Sequence, residues 1–442
     1  MVLEKKINSL IKYIGEIDPI KINGKVSRLV GLVIEGHGPG SAIGDICEVY
    51  PKDGGNPVQA EVVGFKEDKI LLMPLGEIRG LGPGSRIASK GHRASIRVGT
   101  EMLGRVIDGL GTPLDGKGSI WGDDEYPLYA KPPNPLQRRR IKEPLDLGIR
   151  AINGVLTCGK GQRMGIFAGS GVGKSMLLGM IARNTDADVN VIALIGERGR
   201  EVNEFIERDL KEGIKRSIVI VATSDQPPLV RTRGAFIATT IAEYFRDIGM
   251  NVVLMMDSVT RFAQAQREVG LAVGEPATTK GYTPSVFAML PKLLERVGIA
   301  NSDGSITGLY TVLVEGDDIN DPVPDSVRAI LDGHIILSRD LAIQNHYPAI
   351  DILNSVSRVM VDIVDRQHLE DSKKIREILS TYRKAEDLLN IGAYKHGSNQ
   401  KIDHAIQVID RINSYLKQGM DERFAIKESV SDLNQAVKGG NA

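Results

Sequence analysis

Only two of the 442 residues are cysteine, Cys47 and Cys158, and they stand far apart in sequence. That excludes a disulfide framework and a cysteine-built zinc site. Aromatic residues make up 5% of the chain, too few for a base-stacking nucleic-acid surface. Neither charge sign is in excess: 56 basic residues face 56 acidic ones. A chain with no net charge lacks the broad electrostatic footprint of a nucleic-acid or membrane binder. No apolar run is long enough to span a bilayer, and the first residues lack a signal-peptide apolar core. The seven histidines are scattered, His334 and His346 included, and form no metal-binding set. A reducing, cytoplasmic setting is the simplest expectation. Glycine, by contrast, is abundant at 49 residues, which fits many turns and close backbone approaches.

The length calls for two to four domains. Residues 3–14 place Ile7, Leu10, Ile11 and Ile14 on one helical face. Such a terminal helix either packs at home or serves as a docking handle. Over 21–95, the short apolar runs Val26–Ile34, Ile46–Tyr50, Gln59–Phe65 and Ile70–Met73 alternate with Gly/Pro turns, which predicts a small closed β-barrel. Residues 96–151 read as a largely irregular, proline-stiffened connector holding Arg138-Arg139-Arg140, a run for a solvated linker or an acidic neighbouring surface. From 152 to about 350 the pattern becomes α/β. Strands are expected at Gln162–Phe167, Val189–Ile195, Ser217–Ala222, Asn251–Met256 and Thr311–Val314. From 359 to 442 short polar helices are expected, with Ile402, Ile406, Ile409 and Ile412 along one face.

Residues 168–175 read Ala-Gly-Ser-Gly-Val-Gly-Lys-Ser between an apolar strand and an apolar helix start. This is the pattern of a phosphate-binding loop, with Ala168 at the position of the usual first glycine. Backbone N–H groups of Gly169, Ser170, Gly171, Val172 and Gly173 can cradle a β-phosphate, and the helix adds its positive end. Lys174 can reach the β- and γ-phosphates, and the Ser175 hydroxyl can ligate Mg²⁺. Asp257 ends the apolar run 252–257, where it can orient the same ion. In such sheets ligands bind beyond the carboxyl ends of the strands. Glu197 follows a strand there and can hold the attacking water, with Glu201 as a rival base. Arg198 and Arg261 can supply positive charge to the transition state or form structural ion pairs. Arg358 forms a structural ion pair or, in a ring, enters the neighbour's site as an arginine finger. Tyr347 on residue type alone is a packing residue.

Several stretches together resemble the catalytic subunits of rotary ATPases and, among them, the flagellar-type protein-export ATPases. They are residues 167–175, Leu194–Glu201, Met256–Phe262, Gly274–Pro276 with Gly281–Ser285, Val314–Asp318, Ile330–His334 and Tyr347–Ile350 with Ser357-Arg358. The likeness runs from the barrel to the helical C-terminus, departing at Ala277 and Thr283. Residues 196–202 and 223–228 lean toward the secretion branch, and Asp257–Arg267 toward its flagellar form. A virulence-type secretion ATPase or a rotary proton-translocating one is the alternative. The resemblance implies a RecA-like P-loop core between a β-barrel and a helical domain, hydrolysing ATP with Mg²⁺ as a homo-hexamer. It makes Glu197 the water-activating glutamate. It places Lys174, Ser175, Arg198, Asp257 and Arg261 at the phosphate and metal site. Tyr347 then stacks on adenine, and Arg358 is the finger. It also implies a negative regulator on the N-terminal helix, a central stalk protein, an export gate, chaperone–substrate complexes, a place at the cytoplasmic side of the inner membrane, and no nucleic acid.

Overall fold

The computed structural model describes residues 22–300, 303–314, 316 and 321–438. The terminal helix expected over 3–14 and part of the Val314–Asp318 stretch lie outside the described residues. The chain forms two compact units: one runs to Ala94 and includes Leu271–Glu275, and the other holds Ser95–Gly270 and Pro276–Ala442.

The first unit is a closed barrel of β1 (Asn23–Val30), β2 (Val33–His37), β3 (Asp45–Tyr50), β4 (Val58–Lys66), β5 (Lys69–Pro74) and β6 (Arg86–Arg93). The strand order is β1-β2-β5-β4-β3-β6, closed by β6 pairing back onto β1. Val26, Ile34, Cys47, Val49, Val62, Leu72 and Ile87 fill its interior. The single run expected over 26–34 is in fact a hairpin. Gly31 turns it, at φ +57° in the left-handed region, so the two halves pair as β1 and β2.

In the second unit β7 (Ser95–Val98) pairs with β9 (Asp124–Pro127). Between them β8 (Val106–Asp108) joins the edge of the large sheet, so this part of the connector is regular. The other strands are β10 (Arg163–Ala168), β11 (Val189–Ile195), β12 (Ser217–Ala222), β13 (Asn251–Asp257), β14 (Gly298–Ile299), β15 (Ser305–Leu313), β16 (Gly333–Leu337) and β17 (Ile350–Ser357). Their order is β17-β16-β10-β15-β13-β11-β12-β8, with β14 beside β15. The path from β16 to β8 is parallel, and β17 runs antiparallel to β16. Every residue of β11 and β12 is buried, as expected of parallel strands covered on both faces. The parallel direction puts the loops after β10, β11 and β13 at one end of the sheet.

The helices Arg366–Asn390, Gln400–Leu416 and Ile426–Val437 close the chain. Side-chain caps from Asp365 and Asn399 start the first two. Ile375, Val408, Ile412 and Leu433 belong to the same apolar core as Ile152 and Val155. Among the described residues no helix is long and apolar enough to cross a membrane.

Candidate active site

β10 ends at Ala168 and the helix Lys174–Asn184 begins six residues later. Gly171 and Gly173 take φ of +79° and +91°, which lets the loop curl over the helix N-terminus. Ala168 is a buried strand residue, so the position needs no glycine there. The Val172 side chain is buried in the core and holds the loop down, while Ser170 and Gly171 face outward. The first N–H groups of the helix have no intrahelical acceptor and form a ready anion site.

Lys174 points at two carboxylates. Its Nζ lies 2.5 Å from Asp257 Oδ1 and 3.5 Å from Glu197 Oε1. Burial works against its charge, but Asp257 and Glu197 outweigh this and hold the ammonium above its ordinary pKa. The Thr311 hydroxyl donates to Asp257 Oδ1 at 2.7 Å and fixes the carboxylate. Glu197 is pushed up to about 7, first by burial and then by the neighbouring Asp257 charge. Gly196, at φ +69°, lets the backbone pass Arg261, where an added Cβ would stand 2.8 Å from the Arg261 Cβ. Arg261 donates Nη1 to Gln264 Oε1, and its Nε is buried without an acceptor among the described residues. Arg198 is exposed and pairs with Glu201 at 3.6 Å.

A cleft of about 670 Å³ opens between these groups, a volume that suits a nucleotide-sized ligand. Gly169–Gly171, Lys174, Ser175, Glu197, Arg198 and Arg261 line it. Arg208 and Arg339 line it too, although sequence reasoning did not select them. Asp257 sits behind Lys174 and is 4% exposed. Tyr347 comes from a distant loop, yet its ring reaches the phosphate loop: a Cβ on Gly173 would lie 3.3 Å from the ring.

Arg358 is not brought in. It is exposed just past β17, and its backbone N–H donates to the Asp332 carbonyl. The Asp332 carboxylate is gripped by Arg163 through Nε and Nη2, each at 3.0 Å. Arg163 opens β10 and the phosphate loop follows its far end, so about 20 Å of strand separates the two at 3.3 Å per residue.

A P-loop among parallel strands, its lysine held by two carboxylates in a cleft lined by four arginines, defines a nucleotide-hydrolysing core. The chain matches the profile of the ATP synthase alpha/beta family nucleotide-binding domain over 148–357. It also matches that family's beta-barrel domain over 26–91 and the T3SS EscN ATPase C-terminal domain over 364–435. The flagellum-specific ATP synthase of Bacillus subtilis (strain 168) is 58% identical, over 97% of this chain and 98% of that protein. The type 3 secretion system ATPase of Xanthomonas euvesicatoria is 50% identical, over 94% of each. The assembled ATPase EscN of enteropathogenic E. coli superposes with a TM-score of 0.89 at 47% identity, over 94% of this chain and 100% of that one. The chain therefore belongs to the flagellum-specific and type III secretion ATPase family, and it is a P-loop ATPase.

Proposed function

We propose that this chain is the ATPase of a flagellar protein-export apparatus, acting as a homo-hexameric ring at the cytoplasmic side of the inner membrane. The observation that carries the chemistry is the cluster of Lys174 between Asp257 and Glu197 in the cleft. The loop 169–173 and the helix N-terminus bind the phosphates through backbone N–H groups. Lys174 turns from the carboxylates onto the β- and γ-phosphates when they arrive. Glu197, with a pKa near 7, holds the water in line and takes up its proton. Arg198 and Arg261 lie in the same cleft to balance charge on the transferring phosphoryl group.

Among the described residues no group of three or more acidic, histidine or cysteine side chains stands ready to hold a metal alone. A hydroxyl and a carboxylate, Ser175 and Asp257, are the hard oxygen donors that suit Mg²⁺ arriving with the nucleotide phosphates. Bound there, the ion neutralises phosphate charge. Tyr347, whose ring lies against Gly173, stacks on adenine on this reading.

Arg358 acts in a neighbouring subunit on this reading, and its distance from its own phosphate loop supports that role. Flagellar export follows from the identity to flagellum-specific relatives, 58% and 51% in two species. A central stalk partner is supported by the solved complex of EscN with its central stalk EscO, whose ATPase is 46% identical to this chain. An export gate, chaperone–substrate complexes and a regulator on the N-terminal segment complete the reading.

Steady-state ATP hydrolysis against protein concentration tests it, with Glu197→Gln and Arg358→Ala in parallel. The expected result is a rate per subunit that rises with concentration and is lost in both variants. A rate that is flat with concentration and indifferent to Arg358→Ala overturns the shared site.

A further inference from the structure

We propose that Gln418 and Arg150 are positioning residues for Tyr347, so that the C-terminal helices set the grip on the nucleotide base. The inference rests on the reading that Tyr347 stacks on adenine.

The backbone N–H of Gln418 donates to the Tyr347 carbonyl at 2.9 Å. Gln418 is 6% exposed, and its carboxamide is fully engaged. Oε1 accepts from the Arg150 backbone N–H at 2.8 Å, and Nε2 donates to the Gly148 and Glu422 carbonyls at 2.9 Å each. A buried amide with its partners all in place has one orientation, so the Gln418 backbone is held rigidly against Tyr347. Arg150 secures the same point from the other side. Its guanidinium donates to the carbonyls of Tyr415, Ser414 and Lys417, where the helix Gln400–Leu416 ends. Those carbonyls lack intrahelical donors, and a cation at this end also meets the negative pole of the helix. The guanidinium lies 4.1 Å over the Phe424 ring as well.

The ring-bearing residue is therefore tied through one carbonyl to a clamp whose other ends lie on the segment before β10 and on the last helices. Movement of the helix Gln400–Leu416 transmits to Tyr347 through Gln418 without passing through the phosphate loop. The clamp meets the phosphate loop only where the Tyr347 ring lies against Gly173, so it bears on base binding far more than on phosphate binding.

The test compares KM for ATP with the inhibition constant of inorganic tripolyphosphate, which has no base, in Gln418→Leu, Tyr347→Ala and the double variant. The expected result is a rise in KM of about tenfold in each single variant, with kcat and the tripolyphosphate constant within about twofold of the parent. The double variant rises no further, because both changes remove one interaction. If Tyr347→Ala leaves KM unchanged, the base-stacking reading fails. If Tyr347→Ala raises KM but Gln418→Leu does not, or if the two effects multiply, the clamp is overturned alone. Arg150→Lys keeps the charge but not the fork, and it carries the same test should Gln418→Leu not fold: a KM rise supports the clamp, and an unchanged KM overturns it.

Discussion

A carboxyl group buried beside another carboxylate resists ionisation, and on the proposed mechanism Glu197 must ionise to accept a proton from water. Its pKa moves from 4.5 to about 7. Below pH 4.5 the group is protonated in both folded and unfolded chains and contributes nothing. Between 4.5 and 7 the unfolded chain releases the proton and the folded one retains it, so stability falls as pH rises. Glu197→Gln is therefore expected to melt above the parent at pH 8, with the gap closing toward pH 4.5, as thermal melts across that range will show. The same group makes kcat/KM fall below about pH 7 in the parent, while the glutamine variant is about 10²-fold or more below it at pH 8 and lacks that fall, so the gap narrows toward low pH. Equal melting of the two proteins at pH 8 contradicts the assignment of a strained carboxylate. At this scale the sequence was most legible where the chemistry is local. Gly169 to Ser175 announce themselves because the phosphate-loop pattern is one turn and one helix start, contiguous in sequence. Asp257 and Glu197 are legible because the first closes an apolar strand and the second follows one by two residues. Thr311, Arg208, Arg339 and Gln418 carry no such mark, since only the packed sheet brings them beside Asp257, the cleft or Tyr347.

At the level of elements, the helix Pro228–Asp247 shows how connector and core are joined. Nearly all of it is buried, including Glu243. Arg296, with no exposed side-chain surface, meets Glu243 through both Nε and Nη2, and also donates to the Thr240 hydroxyl and the Leu128 carbonyl. One guanidinium thus fixes the connector after β9 against this helix. Removing one partner strands a buried charge, so Arg296→Ala is expected to cost about 3–5 kcal/mol in denaturant unfolding. The paired change Arg296→Met with Glu243→Leu recovers most of that, because two apolar groups replace two desolvated ions. An Arg296→Ala loss under about 1 kcal/mol means the pair is solvated and not a staple. Legibility differs here for physical reasons. β11 and β12 stand at the boundaries read from their unbroken apolar runs, because both faces are buried. β6, with its sequence Arg-Ile-Ala-Ser-Lys-Gly-His-Arg, carries no apolar run that marks a strand, since barrel closure rather than apolar content creates it. β8 is three residues long and is a strand only because β12 lies beside it.

At the scale of the whole molecule, strand direction decides which residues one subunit can bring to its own nucleotide. The parallel sheet gathers Lys174, Glu197 and Asp257 at the carboxyl ends, whereas β17 returns antiparallel and delivers Arg358 to the other side. The backbone contact to Asp332, itself held by Arg163, fixes that placement. A six-residue strand lies between, too far for an arginine side chain, so on the proposed reading the finger is complete only between copies. A head-to-tail ring closes such an interface, each subunit giving Arg358 to one neighbour and receiving it from the other. Mixing distinguishes this from every arrangement within a subunit. Glu197→Gln subunits keep the finger and Arg358→Ala subunits keep the water-holding carboxylate, and each alone is expected to be inactive. In rings assembled from equal amounts of both, an interface works when an Arg358→Ala subunit receives its finger from a Glu197→Gln neighbour. Random heterologous assembly makes that about a quarter of interfaces. Mixed protein should then recover roughly a quarter of the parent rate if interfaces fire independently, and less if they fire in concert. An inactive mixture, with mixed assembly verified by differential tagging, places Arg358 outside the shared site and returns it to a purely structural role at the end of β17.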